Sequence, residues 1–217
     1  MNVVYLVLSI VAIAFAVVVP VFVEYSRRPV LTIKRSEDLN FDSTLPRRIV
    51  HVRVVNRPLS GLRGRWLLCN VATGCTVSIT MTSRSDGTGL TFQGRWSGNP
   101  EPMTILTHGQ GDIAVVYDPM KLPQTRVIDV SPGEEGQTMA IAIKAEGDSR
   151  AYCFASESYE RLGDLRKPGW ELPHKEYDVV VVAQAGGISS PPTRFLLRNS
   201  GSHYTDLELI ETPSRAA

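Results

Sequence analysis

Three cysteines and four histidines are the side chains of this 217-residue chain best suited to holding a transition metal. A blue-copper centre needs a thiolate, imidazoles and a weak methionine, because those donors set its geometry. After Cys153 the next histidine is His174, and no methionine follows. Cys69 and Cys75 enclose five residues and have no adjoining histidine, whereas zinc-ligand pairs usually stand about two to four residues apart. The spacing implies no metal and no other cofactor. Cys75 reads instead as a buried, inert thiol on a strand face.

Other chemistry is similarly constrained. Gly109-Gln110-Gly111-Asp112-Ile113-Ala114 matches a G-x-G-x-x-A dinucleotide fingerprint, with Asp129 near the distance of the ribose-binding acid. Those glycines must open a helix whose terminal amides hold the pyrophosphate. A short β-prone run, Ile113 to Tyr117, follows instead and stops at Pro119. No G-x-S-x-G elbow or H-E-x-x-H helix occurs, so no catalytic residue is assigned. His51, His108, His174 and His203 are scattered and read as exposed or locally hydrogen-bonded imidazoles. Glu134-Glu135 reads as a solvated turn. Trp66 and Trp170 are the candidate ligand platform, since exposed indoles stack on sugars, whereas Trp96 shares a face with Leu90 and Phe92 and belongs in a core.

The elements that would have to position these residues are strands. Cys75, Val77, Ile79 and Met81 alternate with Thr76, Ser78, Thr80 and Thr82, the period of a strand with one face buried. Leu90 to Trp96 repeats the pattern. The Asp86-Gly87 step between them marks a hairpin. Further strands are expected at Val30–Lys34, Ile49–Val55, Arg126–Val130, Thr138–Lys144, Tyr177–Ala183, Thr193–Arg198 and Thr205–Ile210. Only Ser156 to Asp164 has a helical spacing. Nine short strands separated by turns predict a mainly β sandwich or barrel and exclude a doubly wound α/β fold.

The approach Leu172-Pro173-His174-Lys175-Glu176-Tyr177, with Val54-Val55-Asn56, Ser131-Pro132-Gly133-Glu134 and Phe195 to Asn199, resembles the immunoglobulin-like or fibronectin-type antiparallel β-sandwiches of membrane-anchored prokaryotic proteins. The resemblance covers about residues 30 to 211. It implies a Tyr177 hydroxyl bonded back to the preceding loop, and it implies a fold without an activity.

That sandwich is preceded by an apolar run. Val3 to Val23 contains no charged side chain, and a helix of this length, at about 1.5 Å per residue, matches a hydrocarbon core of roughly 30 Å. No basic residue precedes the run, and bulky Val19-Pro20-Val21 replaces a small-residue cleavage motif, so it reads as a retained transmembrane anchor. Arg27, Arg28, Lys34 and Arg35 follow it as candidate membrane-surface contacts. From Glu24 to Arg65 there are ten Lys/Arg against four Asp/Glu, and the remainder is net acidic. This asymmetry favours a cytoplasmic soluble domain.

The expected organisation is an anchor at 1–24, a basic juxtamembrane arm and first strand at 25–48, the rest of the sandwich at 49–211, and a disordered tail at 212–217. Overall charge is +1, which does not suit nucleic-acid binding. The expected partners are the lipid bilayer and another protein, with weak self-association through the small-xxx-small pair Ala12 and Ala16. The expected role is protein interaction or envelope assembly without catalysis. The alternative is an accessory carbohydrate or small-molecule binding domain, or a small enzyme whose site is built from loops.

Overall fold

The computed structural model describes residues 3–41, 46–58, 69–100, 103–107, 113–158, 168–173 and 175–212. One long helix, α1 (Val3–Ser26), contains Pro20 and is exposed throughout from Val7 to Phe22. It is the one helix among the described residues that is long and apolar enough to cross a membrane. Ala12 and Ala16 lie exposed on it.

The strands are β1 (Leu31–Arg35), β2 (Leu39–Phe41), β3 (Arg47–Asn56), β4 (Ala72–Ser83), β5 (Gly89–Gln93), β6 (Arg95–Trp96), β7 (Met103–Thr107), β8 (Ile113–Tyr117), β9 (Ile128–Val130), β10 (Gln137–Ala145), β11 (Ala151–Cys153), β12 (Glu171–Leu172), β13 (Glu176–Ala185), β14 (Ile188–Ser189), β15 (Thr193–Asn199) and β16 (Leu207–Glu211). One sheet has the order β1-β3-β10-β11-β12, with β2 on β3 and β6 on β10. The other runs β16-β15-β13-β4-β5, with β14 on β13 and β9 on β4. The strands pair antiparallel, and the two sheets pack face to face around one large apolar core. Eight of the nine sequence-predicted strands are present with shifted ends, and the ninth, Leu90 to Trp96, is divided between the two sheets.

The register explains the alternation. β13 lies against β4 from Tyr177↔Ser83 to Gln184↔Thr76, which sets Val179, Val181 and Ala183 beside Met81, Ile79 and Val77 in the core. Thr76, Ser78, Thr80 and Thr82 line the other, partly solvated face. The first sheet differs because its central strands are buried on both faces. Val50, Val52 and Val54 fill the inter-sheet core, while Ile49, Ala140, Ile143, Tyr152 and Phe154 form a second cluster outside it, against Phe41. His51 shares this outer face and is only 4% exposed, which overturns the exposed alternative expected for its imidazole, while a bond with the Ile49 backbone keeps the local one. Its Nδ1 has no hydrogen-bond partner among the described residues. Burial lowers its pKa, opposed by the nearby Asp38 carboxylate.

Leu90 to Trp96 is expected as one strand and breaks at Gly94. The Gly94 amide still donates to Val77 O at 2.9 Å, but Arg95 and Trp96 cross to pair with β10 in the opposite sheet. A Cβ at Gly94 would stand 2.1 Å from Met139 Sδ, so the crossing requires a residue without a side chain. Trp96 is fully buried and donates Nε1 to Arg126 O at 3.0 Å. Arg95 does point away from it, yet is buried too, with its guanidinium 5.3 Å from the centre of the Phe154 ring. The strand expected from Arg126 starts only at Ile128, because Arg126 closes a helical turn, α2 (Leu122–Arg126), with proline at its start. Ser156–Ser158 is a 3-10 turn; the rest of the expected helix to Asp164 lies outside the described residues.

Candidate functional site

Strand direction defines two ends of the sandwich. At the near end α1 stops, β3 and β13 finish, and β4 begins. The far end carries the β4–β5 turn, the approach to β13 and the start of β16.

At the near end only Arg27 to Val30 separate α1 from β1, and hydrogen bonds hold this connection to the sandwich. Asn70 donates its backbone N–H to Arg27 O at 2.8 Å and its Nδ2 to Glu24 Oε1 at 3.1 Å. Arg57 N donates to Val30 O at 2.9 Å. Asn56, fully buried, completes the junction: Oδ1 accepts from Val30 N at 3.2 Å, and Nδ2 donates to Asn70 O at 2.9 Å and Val130 O at 3.1 Å. Four proposed surface cations separate here. Arg27 and Arg28 lie at the helix end, with the Arg28 guanidinium 5.0 Å from the centre of the Tyr25 ring. Lys34 is exposed but further along β1. Arg35, at the far end of that strand, turns its guanidinium to Asp38, to Leu209 O at 2.7 Å and to His51 O at 2.9 Å. It ties strand β16 to β1 and so covers a sheet edge.

The far end is built of charge. A cleft of about 520 Å³ opens between the β5 and β12 edges, lined by Leu90, Arg150, Glu171, Lys175 and Tyr177 among others. Asp86, in the β4–β5 turn, accepts from Lys175 Nζ at 2.6 Å and from Thr88 Oγ1 at 2.6 Å. These bonds, the lysine first, hold its carboxyl well below the usual carboxylate range. Tyr177 donates to Pro173 O at 3.3 Å, the back-bond expected for this position. Burial, with the Asp86 charge second, pushes its hydroxyl up to about 12. Arg84 pairs with Asp178 at 2.7 Å, and Arg198 with Glu176 at 3.0 Å, on the exposed face beside the cleft.

Sequence reasoning missed the most unusual group at this end. Lys144 is fully buried, and its Nζ donates to Asn199 Oδ1 and Gly201 O. Asn199 Nδ2 bonds Ser149 O and Leu172 O, each at 3.1 Å. Burial lowers the lysine pKa; Asp206, Asp148 and Glu146 oppose it. The one trace in the sequence is a cation closing the apolar run of β10.

The remaining candidates are not gathered into one centre. Trp170 is half-buried, edge-on to Phe92 at 5.5 Å between ring centres, and packs on the main core. Trp66 lies outside the described residues, as do His108, His174 and Gly109 to Asp112. Ile113–Tyr117 is a strand paired with β7, not a helix. The cysteines are free thiols. Burial pushes Cys75 up to about 11 and Cys153 up to about 12, and Cys153 Sγ lies 3.6 Å from Met81 Sδ in the core. Protonated, buried thiols are poor nucleophiles and poor metal ligands. Among the described residues no group of three or more His, Cys, Asp or Glu side chains is arranged to hold a metal ion. His203 caps a 3-10 turn through Nδ1, and Glu134 and Glu135 are exposed in their turn, as expected.

The chain matches no protein-family model, no curated protein and no solved structure. The arrangement of its two ends therefore carries the functional argument.

Proposed function

We propose that this is a single-span membrane protein whose immunoglobulin-like sandwich presents its far-end cleft to a protein partner, without catalysis. The supporting observation is the hydrogen-bonded connection of Arg27 to Val30 between an exposed apolar helix and the sandwich. With α1 in a bilayer, so short a link keeps the near end at the membrane and turns the Asp86–Lys175 cleft outward. The Tyr177 back-bond to Pro173 supports the immunoglobulin-like assignment. The charge asymmetry flanking α1 supports a cytoplasmic sandwich. Ala12 and Ala16 offer a close-packing face for weak self-association.

A photo-crosslinking residue at Thr88, on the cleft, and another at Thr80, on the solvated sheet face, test this reading in intact cells. A discrete adduct from Thr88 that is lost on Lys175→Glu is expected; equal labelling from both positions would remove the cleft from consideration. A phosphatase fused to the C-terminus tests the side: activity outside the inner compartment would overturn the cytoplasmic placement.

The cleft volume favours one second reading, binding of a small polar ligand such as a carbohydrate, for which Trp170 stands next to lining residues Gly169 and Glu171. Quenching of tryptophan fluorescence by added oligosaccharide, abolished by Trp170→Ala, would support it over a protein partner.

A further inference from the structure

A second cavity, of about 410 Å³, lies at the junction itself, between the last turn of α1 and the turns of the near end. This is within the range of about 300–1,000 Å³ found for small-molecule sites. Its wall includes Glu24 and Arg28 from the helix end, Asn70 and Val71 before β4, and Gly186 and Gly187 from the β13–β14 turn. Both glycines have positive φ, 53° and 77°, and a Cβ on either would meet nothing within 4 Å. The turn thus leaves backbone facing open space where ordinary side chains would be strained. Val71, 42% exposed, forms the apolar part of the wall with Pro29, Ala72, Ala185 and Ile188.

Depth decides what such a cavity can meet. Glu24, in the last turn of α1, directly follows the last residue of the uncharged run, and Arg28 comes two residues after the helix ends at Ser26, its N–H still bonded to Tyr25 O at 3.4 Å. The headgroup layer beyond the hydrocarbon is roughly 5–7 Å thick on each side. One carboxylate and one guanidinium therefore lie at headgroup level in the same cavity. An opposed pair of this kind complements a ligand that also carries both signs. It disfavours an anionic headgroup, which Glu24 would repel.

We propose that the junction cavity seats the headgroup of a zwitterionic aminophospholipid, its phosphate against the Arg28 guanidinium and its primary ammonium against the Glu24 carboxylate. An ammonium donates hydrogen bonds to the carboxylate, which a quaternary amine does not. The site rests on the reading of α1 as a membrane span. It adds a specific lipid contact that locks the orientation of the sandwich.

The test uses the full chain in nanodiscs of equimolar phosphatidylethanolamine, phosphatidylcholine and phosphatidylglycerol, released in mild detergent for native mass spectrometry. One retained phosphatidylethanolamine is expected, in at least ten-fold preference over the other two. Arg28→Ala should remove retention of all three. Glu24→Gln, whose amide oxygen still accepts from Asn70, should keep a lipid but lose the preference. Lys34→Ala, outside the cavity, should match the native chain. Retention unaffected by Arg28→Ala, or a preference unaffected by Glu24→Gln, would overturn the site. Alkaline carbonate extraction of the native chain separates the two failures: a chain that resists extraction without headgroup selectivity loses only the site, and a chain that is extracted loses the span and the site together.

Discussion

Each end of the sandwich is closed by a buried asparagine, and the two asparagines close on different partners. Asn56, at the end of β3, satisfies one backbone amide and two backbone carbonyls that would otherwise be stranded where helix, strand and loop converge. Asn199, at the end of β15, satisfies two carbonyls and also takes the ammonium of fully buried Lys144. The Asn56 closure therefore joins only neutral backbone groups, whereas the Asn199 closure takes a buried charge among charged neighbours. Neutral closure gives a joint that holds its geometry over a wide pH range. Charged closure ties the far end to its electrostatic surroundings, where the cleft opens.

The largest expected effect comes from breaking the charged closure. Asn199→Ala leaves the buried ammonium with Gly201 O alone and two carbonyls without a donor, and should cost about 4 kcal/mol in urea unfolding of the full chain in detergent. Asn56→Ala removes only neutral hydrogen bonds and should cost about 3 kcal/mol. A reversed order would show that the lysine contributes less to the far end than its burial implies.

The pH dependence sharpens the contrast. Because burial lowers the folded pKa of Lys144 below the ordinary lysine value of 10.5, the unfolded chain binds the proton more tightly. Stability should thus rise as pH increases through the folded value and level off above about 10.5. Lys144→Met should flatten that rise in alkaline melting curves, whereas Asn56→Ala should shift the whole curve without changing its slope. The smallest effect belongs to the helix tie. Asn70→Ala loses one exposed bond to Glu24 and should cost under about 1 kcal/mol of stability. Its signature is instead a broader distribution of distances between spin labels on α1 and on β13.

The legible and illegible parts of the fold divide along the two sheets. β4 and β13 show through the sequence because one face meets water, so apolar and polar residues must alternate. β3 and β10 also carry apolar residues on their outer face, which is why His51 and Arg95 are buried where alternation would expose them. β2, β11, β12 and β14 are two or three residues long, too short for a period to register. Tyr177 was readable because its back-bond is local in sequence. The Asp86–Lys175 cleft was not, since it joins turns 89 residues apart.

By itself the sequence determined the apolar helix, eight of the nine expected strands and the mainly β class, because each depends on a local period or an uncharged run that needs no partner to be recognised. Only the tertiary structure decided which polar residues are inside. The burial of Lys144, the closure by Asn56 and Asn199, and the meeting of Glu24 and Arg28 with the Gly186-Gly187 turn all depend on segments far apart in the chain. Solvation and hydrogen bonding at a position are set by what packs over it, and residue type alone does not specify that.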